Sequence, residues 1–244
     1  MISWVVIPCY NEASRLDRNE IQQLTASGIH IMLVDDGSTD TTSTLIDELE
    51  AADRNMFQTL KLPINLGKAE AVRLGMNRLI EQEVELIGYL DADFSTPAGE
   101  YIRLAQLLAK SPDNHAVIGS RWLHLGANIQ RSKLRHYVSR VYATLASAAL
   151  RMPVYDTQCG AKVFRSTARL AQACREPFTT RWSFDVELLG RLTDKRLGDD
   201  AYPMHVIHEE PLNVWADKGD SKLKLIDFPF TALELLTLYR ELRR

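Results

Sequence analysis

The stretch ELIGYLDADFSTP, residues 85–97, contains an apolar run that ends abruptly in two carboxylates. Leu86 to Leu90 has the pattern of a buried β-strand, and Asp91 and Asp93 follow it with one alanine between them. If the strand continues through both acids, their side chains point the same way, because residues two positions apart share a face. Like charges this close repel each other, which indicates a cation between them, and a divalent metal is the natural candidate.

The first half of the chain alternates short β-rich runs with helical patterns. The apolar runs lie at residues 3–8, 29–35, 85–91 and 116–120, with a weaker one at 56–62. Nearly continuous apolar strands separated by helices are typical of a parallel sheet covered on both faces, so the sequence predicts a mostly parallel α/β fold. Polar segments follow the strands at residues 8–12, 35–40, 91–97 and 119–122. We expect them to meet at the carboxyl edge of the sheet, where such folds bind ligands.

Composition narrows the class of protein. The chain has 244 residues, of which 45% are hydrophobic and 25% charged, and a net charge of −3, which argues against a general nucleic-acid binder. Three cysteines in no metal-binding spacing suit a reducing compartment and argue against a zinc site. Neither a signal peptide nor a membrane-spanning helix is predicted. We expect a cytoplasmic protein, soluble or peripheral on the cytoplasmic face of a membrane, and its oligomeric state is left open.

The second half differs in charge. The segment 114–155 contains no acidic residue, and its cations are Arg121, Arg131, Lys133, Arg135, Arg140 and Arg151. Residues 138–151 have apolar side chains at helical spacing, and the segment 223–244 is also rich in apolar residues and ends in basic ones. Periodicity alone allows these two helices to pack on the core, to form a dimer interface or to lie in a membrane interface.

Seven motifs, taken in their order, resemble a known family. They are VVIPCYNE, VDDGSTD, NLGKAEAVRLGM, LDADFSTP, GSRW, DTQCGAKVFR and RWSFDVELL. The ordered set resembles the family 2 glycosyltransferases with the GT-A fold, in particular the dolichyl-phosphate β-glucosyltransferases and the polyprenyl-phosphate mannosyltransferases. The resemblance runs from about residue 3 to about residue 225. It implies one GT-A domain over residues 1–244, in which 1–120 bind the nucleotide sugar and 121–244 the acceptor.

The resemblance implies a site for the nucleotide sugar. Asp93 matches the principal ligand of Mg²⁺ or Mn²⁺, and its neighbour Asp91 binds the metal or touches ribose or water instead. A hard cation held by few carboxylates takes its other ligands from phosphate and water, which is consistent with a metal ion between Asp93 and a diphosphate. The implied nucleotide-binding residues are Pro8, Tyr10, Glu12, Asp36, which reads the base, and Lys68. From the residues alone, Asp36 also fits an ordinary strand–helix turn, and Lys68 an ordinary helix start.

The acid-free segment matches the part of the family that binds the acceptor phosphate. The matching positions are Arg121, Arg135 and Ser139, with Arg131 nearby, and guanidinium groups bind phosphate in a bidentate fashion. A solvated helix face is the alternative for Lys133 and Arg140, and equally for Arg131. Asp156 and Gln158 are expected to line the sugar pocket or else to brace the turn around Gly160.

The resemblance implies an inverting, metal-dependent transfer of a hexose, most simply glucose from UDP-glucose, to a polyprenyl phosphate. The expected catalytic residues are Asp93, Asp185, Arg121 and Arg135. A phosphate monoester is largely anionic at neutral pH and needs no general base, so Asp185 then orients a substrate. A hydroxyl acceptor would require Asp185 as the general base. The structural alternative is that Asp185 is a helix-start carboxylate and Glu187 an exposed surface acid. A GDP-mannose donor, a soluble-sugar or cell-surface glycan acceptor, nucleotidyl transfer and a non-catalytic binding module remain alternatives.

Overall fold

The computed structural model describes residues 2–130, 133–218 and 228–241, and of residues 133–136, 228, 229, 232 and 241 only the backbone. In chain order the elements are β1 (Ser3–Cys9), α1 (Arg18–Ala26), β2 (Ile29–Asp35), α2 (Thr42–Ala52), β3 (Phe57–Lys61), α3 (Lys68–Ile80), β4 (Leu86–Leu90), α4 (Ala98–Lys110), β5 (Ala116–Ser120), β6 (Asn128–Gln130), α5 (Lys133–Leu150), β7 (Ala161–Arg165), α6 (Ala168–Arg175), α7 (Phe184–Thr193), β8 (Ile207–Pro211), β9 (Val214–Ala216) and α8 (Phe228–Glu241). Two short 3₁₀ turns, Lys195–Leu197 and Met204–Val206, precede β8.

Within the described residues, seven strands form one sheet in the order β3–β2–β1–β4–β7–β5–β8. Only β7 runs against its neighbours: it pairs antiparallel with β4 and β5, whereas the other pairs in this sheet are parallel. All five predicted strands are present, which confirms the mostly parallel α/β prediction. The sheet draws strands from both sides of residue 120, so the two halves of the chain share one framework.

The inner strands β1, β2, β4 and β5 are largely apolar because both faces of the sheet are covered, whereas the edge strands β3 and β8 are partly polar and partly exposed. Alternate residues of β1 point to opposite sides, so Val5 and Val6 belong to different core clusters. Side chains of α1, α2 and α4 fill one cluster, and those of α3, α6 and α7 fill the other. The polar segments that follow β1, β2, β4 and β5 therefore meet at one edge of the sheet, as the sequence predicts.

The antiparallel strand β7 is the main element that the sequence patterns do not predict. Its five residues, AKVFR, are interrupted by Lys162, which shortens the apolar run. The side chain of Lys162 is nevertheless fully buried. A small second sheet, in which β6 and β9 pair in parallel, is also unpredicted because each strand has only three residues.

The second half adds a third layer. Helices α5, α7 and α8 share a core cluster that includes Tyr142, Val186 and Leu235, so α8 packs against the body of the protein. The two helices predicted near residues 138–151 and 223–244 are thus present as α5 and α8. Among the described residues, no helix is both long and apolar enough to cross a membrane.

Candidate active site

The Asp91–Ala92–Asp93 segment forms a turn and does not continue strand β4. The strand ends at Leu90, the Phe94 N–H donates to the Asp91 carbonyl at 3.1 Å, and Phe94 has a φ of 49°. The expectation that the two acids lie side by side through strand alternation is therefore wrong. Both acids instead lie in a tight turn, in which the Asp93 Oδ1 accepts the Ser95 N–H at 2.9 Å.

Asp91 is held between a lysine and a glycine. The Lys68 ammonium lies 2.5 Å from Asp91 Oδ1, which joins the start of α3 to the end of β4. A Cβ atom on Gly160 would lie 2.1 Å from Asp91 Oδ2, so only glycine fits beside this carboxylate. Burial lowers the pKa of Lys68, but the carboxylates of Asp91 and Asp185 outweigh burial and raise it above its ordinary value. Lys68 therefore neutralises Asp91 within the site.

Asp36 organises the loop that precedes α3. Its Oδ1 accepts the Leu66 N–H at 2.7 Å and its Oδ2 accepts the Gly67 N–H at 2.8 Å. Gly67 has a φ of 95°, which favours glycine. Burial raises the pKa of Asp36, although these two N–H groups oppose the shift. Both carboxylate oxygens thus serve the backbone, and a contact with a nucleotide base stays a prediction.

The predicted nucleotide-binding segment 8–12 lies at the same edge. Pro8 lies in β1 beyond the last pair with β4, where the missing N–H costs no bond to that strand. Tyr10 follows the strand and is partly buried. Glu12 is buried, donates its N–H to Thr42 Oγ1 at 2.8 Å and pairs its carboxylate with Arg15 at 2.7 Å. The structure brings these residues together, and their contact with a nucleotide remains a prediction.

Asp185 is buried in a polar cluster beneath the edge. It lies in the first turn of α7, and its Oδ1 accepts hydrogen bonds from the Tyr89 hydroxyl and from Lys162 Nζ, the latter at 2.5 Å. Lys162 also donates to the Cys159 carbonyl at 2.7 Å. Burial, and then the Asp185 charge, raise the pKa of Tyr89 well above its ordinary value. Asp185 is thus a helix-start carboxylate, and it is buried, fixed and charge-compensated.

Arg121 and Asp156 form a bidentate ion pair. Arg121 Nε lies 2.6 Å from Asp156 Oδ2, and Arg121 Nη2 lies 2.8 Å from Oδ1. Asp156 also accepts the N–H groups of Arg121 and Gln158, at 3.0 and 3.1 Å. Burial opposes the charge of Arg121, but Asp156 outweighs it and raises the pKa above its ordinary value. Of the two roles expected for Asp156, this geometry favours bracing the segment before Gly160.

Tyr155 lies in a stack of three side chains next to this ion pair. The Arg140 guanidinium lies 3.6 Å from the Tyr155 ring centroid and donates to the Tyr155 carbonyl at 2.7 Å. The ring of Trp122 also stacks on the Tyr155 ring, with the two centroids 5.5 Å apart. The alternative of a solvated helix face is therefore wrong for Arg140. Glu209 fixes the same segment by accepting the N–H groups of Tyr155 and Asp156.

The other predicted acceptor residues lie on or near α5. Ser139 lines a cleft together with Arg121, Arg140, Tyr155, Asp156 and Gln158. Of Arg135 and Lys133 only the backbone, in the first turn of α5, is described, and Arg131 lies outside the described residues. The structure thus places Arg121, Ser139 and Gln158 around one cleft. Their contact with a phosphate or a sugar remains a prediction.

The residues at the 91–94 turn fit a divalent cation only in part. Asp93 is partly exposed and offers a hard oxygen donor, whereas Asp91 is engaged by Lys68. In the part of the chain that the structure describes, no group of three or more His, Cys, Asp or Glu residues could hold a metal ion. A cation at Asp93 would therefore need most of its ligands from a diphosphate and water, which is how Mg²⁺ is commonly bound.

Sequence patterns do not indicate several of the residues that shape the site. Lys162 and Tyr89 hold Asp185, and Glu209 holds the segment before Asp156. Glu187, considered in sequence as a surface acid, is buried and accepts the N–H groups of residues 179 and 180. Glu234 of α8 accepts the N–H groups of residues 181–183. A lysine within the apolar run GAKVF was the one signal in sequence, because a buried ammonium requires a partner.

The chain matches known proteins over most of its length. A family model described as glycosyl transferase family 2 matches residues 4–169. A dolichyl-phosphate beta-glucosyltransferase of Trichomonas vaginalis is 29% identical, covering 96% of this chain and 69% of that protein. Its counterpart in Drosophila melanogaster is 32% identical, covering 76% and 60% respectively. An undecaprenyl-phosphate 4-deoxy-4-formamido-L-arabinose transferase of Proteus mirabilis is 27% identical, covering 96% and 67%. These relatives are all longer than this chain.

Solved structures confirm the fold. A mannosyltransferase of Pyrobaculum calidifontis, PcManGT, solved with GDP-Man and Mn²⁺, superposes with a TM-score of 0.60 at 16% identity. The superposition covers 99% of this chain and 64% of that one. TarS 1-349 of S. aureus, solved with UDP, gives a TM-score of 0.59 at 15% identity and covers 99% and 65%. At such identities the likeness shows the fold alone, and it confirms the predicted GT-A architecture.

Proposed function

We propose, because the chain belongs to glycosyl transferase family 2, that it transfers a hexose from a nucleotide sugar to a polyprenyl phosphate. That the chain is a glycosyltransferase follows from the family. The acceptor class is supported by the relatives, which are named for dolichyl phosphate and undecaprenyl phosphate. Glucose from UDP-glucose is the donor we propose first, on the strength of the dolichyl-phosphate beta-glucosyltransferases.

One observation carries the proposal: the cleft at Arg121 and the Asp91–Asp93 turn lie at the same edge of one sheet. Strands β4 and β5 run in the same direction, so the residues that follow them emerge together. Gly160 links the two places, because it packs on the Asp91 carboxylate and belongs to the segment that Asp156 braces. A donor diphosphate at Asp93 and an acceptor phosphate at the cleft would meet across this edge.

The two halves of the chain would bind different substrates. Residues 1–120 would bind the nucleotide through Pro8, Tyr10, Glu12 and Asp36, and residues 121–244 would bind the acceptor. A Mg²⁺ or Mn²⁺ ion held by Asp93, with Asp91 beside it, would neutralise the charge of the leaving nucleoside diphosphate. The Asp91–Lys68 pair would hold this part of the site in place, with Lys68 near the nucleotide.

The acceptor needs no general base in this scheme. A phosphate monoester has a second pKa of about 6, so its oxygen is already a nucleophile near neutral pH. The protein has to bring that oxygen in line with the anomeric carbon, which gives inversion in a single displacement. Arg121, Arg135 and Ser139, with Arg131, would orient the phosphate. Asp185 would orient the sugar with Oδ2, because Tyr89 and Lys162 already occupy Oδ1.

Helices α5 and α8 expose apolar side chains that would suit a lipid acceptor. Tyr137, Val141 and Leu145 are exposed on one face of α5, four residues apart. Phe230, Leu233 and Leu236 are exposed on α8, which packs against α5. We therefore include peripheral contact with a membrane in the proposal, since an exposed apolar face of this kind suits a membrane interface.

Analysis of the products tests the proposal. Incubation with UDP-glucose, Mg²⁺ and a short polyprenyl phosphate should yield a hexosyl phosphate lipid, detected by mass spectrometry, with a β-anomeric signal by NMR. GDP-mannose in place of UDP-glucose tests the second donor. Release of pyrophosphate would point to nucleotidyl transfer and contradict the proposal. A product formed on a sugar hydroxyl, and abolished in Asp185→Asn, would move the acceptor to the hydroxyl class.

A further inference from the structure

The cations at the ligand-binding edge differ in whether they already have a partner. Lys68 pairs with Asp91, Lys162 with Asp185 and Arg121 with Asp156, at 2.5 to 2.6 Å. Arg181, by contrast, is exposed and forms no ion pair within the described residues. A guanidinium without an ion pair among the described residues can offer its N–H donors to an added anion.

Arg181 lies directly over the turn that starts α3. A Cβ atom built on Gly67 would lie 3.4 Å from Arg181 Nε and 3.9 Å from its Cζ. Its charge is also felt by Asp36, the carboxylate that holds the Gly67 N–H. Arg181 therefore projects over the loop where the predicted nucleotide-binding residues Asp36 and Lys68 come together.

The backbone of Arg181 is fixed from the C-terminal helix. The Glu234 carboxylate on α8 accepts the N–H of Arg181 at 2.9 Å, that of Trp182 at 3.2 Å and that of Ser183 at 2.9 Å. Ser183 is the N-cap residue of α7, so Glu234 also supplies negative charge where the helix dipole favours it. These bonds set the direction in which the Arg181 side chain leaves the backbone.

We propose that Arg181 binds the diphosphate of the nucleotide donor and that Glu234 is a positioning residue for Arg181. The inference rests on the proposed function, since it names a further binding group for the same substrate. A guanidinium fork matches two phosphate oxygens, and charge-assisted hydrogen bonds of this kind are among the strong ones. Lys68 offers less positive charge to the diphosphate because Asp91 already neutralises its ammonium group.

Calorimetric titration of the full chain with UDP and with uridine, both in Mg²⁺, separates phosphate binding from base binding. Arg181→Ala should weaken UDP binding by about 10-fold or more and leave uridine binding unchanged, and Arg181→Lys should retain part of the affinity. Arg78→Ala, which removes an equal charge from an exposed site at the far end of α3, should change neither. Equal losses for UDP and uridine, or no loss for UDP, would overturn the inference.

A double-variant cycle tests the positioning role. Glu234→Ala should weaken UDP binding but not uridine binding, and should add less than about 2-fold when Arg181 is already alanine. Glu234→Gln keeps one carbonyl acceptor and should give an intermediate loss, which also serves if Glu234→Ala does not fold. Losses that multiply in the double variant would show that Glu234 does not act through Arg181. If the wild-type chain binds neither UDP nor GDP, the proposed function is wrong together with this inference. If the wild-type chain binds UDP and the variants bind it equally well, this inference alone is wrong.

Discussion

The buried pair of Lys162 and Asp185 offers a sharp test of the candidate site. The Lys162 side chain is fully buried and that of Asp185 is 6% exposed, with Nζ and Oδ1 2.5 Å apart. Replacing Lys162 by methionine removes the ammonium and keeps much of the side-chain volume. Asp185 is then left as a buried carboxylate with the Tyr89 hydroxyl but without a counter-charge. Breaking a buried pair in this way costs about 3–5 kcal/mol of unfolding free energy.

An exposed pair of nearly the same length provides the control. Lys61 and Asp47 lie 2.6 Å apart, but their side chains are 41% and 57% exposed. Water screens such a pair, so Lys61→Met should cost less than about 1 kcal/mol. Urea unfolding followed by circular dichroism, with linear extrapolation to water, measures both variants.

A second substitution distinguishes lost charge from lost packing. Asp185→Asn added to Lys162→Met removes the uncompensated charge, so the double variant should recover a large part of the lost stability. If Lys162→Met costs no more than Lys61→Met, or if the two losses at Lys162 and Asp185 simply add, the reasoning about the buried pair is refuted.

Four further predictions concern the site and the core. Asp93→Ala should remove metal-dependent turnover while the melting temperature changes little, because Asp93 is partly exposed; full activity in Mg²⁺ would contradict its role as a metal ligand. Gly160→Ala should lower turnover at least 10-fold and stability by about 1–3 kcal/mol, since its Cβ atom would lie 2.1 Å from Asp91 Oδ2; wild-type behaviour would mean that the carboxylate moves freely. Burial raises the pKa of the thiol to about 11 in Cys159 and about 12 in Cys174, so neither should react with iodoacetamide at pH 8 before unfolding. The unfolded chain releases these protons near pH 9 and the folded chain holds them, so the unfolding free energy should fall as the pH rises above 9.

The strands β1, β2, β4 and β5 were predictable because each is a nearly continuous apolar run followed by polar residues. Strand β7 was not, since Lys162 divides its apolar run, and the reason for that lysine becomes visible only when Asp185 arrives from α7. Strand β7 also explains why β4 and β5, separated by a single helix along the chain, are not neighbours in the sheet. Its position between them is a property of the tertiary fold, which local patterns do not encode.

The position of the candidate site residues at one edge of the sheet was predictable, but not the side chains with which they pair. The sequence predicted that Asp91, Asp93 and Arg121 follow parallel strands and meet at one edge of the sheet, and the structure places them there. The pairs of Lys68 with Asp91 and Arg121 with Asp156 join residues 23 and 35 positions apart, which periodicity cannot relate. Strand alternation also gave the wrong local geometry for the two aspartates, because the strand stops before the first of them.

Release of UDP tests whether an acceptor phosphate receives the sugar. UDP-glucose and Mg²⁺ are incubated with the chain in the presence and absence of a short polyprenyl phosphate, with Asp93→Ala as the inactive control. We expect release that requires the lipid phosphate and that disappears in the Asp93→Ala control and in the presence of a metal chelator. Release that is indifferent to the lipid phosphate but rises with a sugar alcohol would contradict this expectation, and would make Asp185 the base.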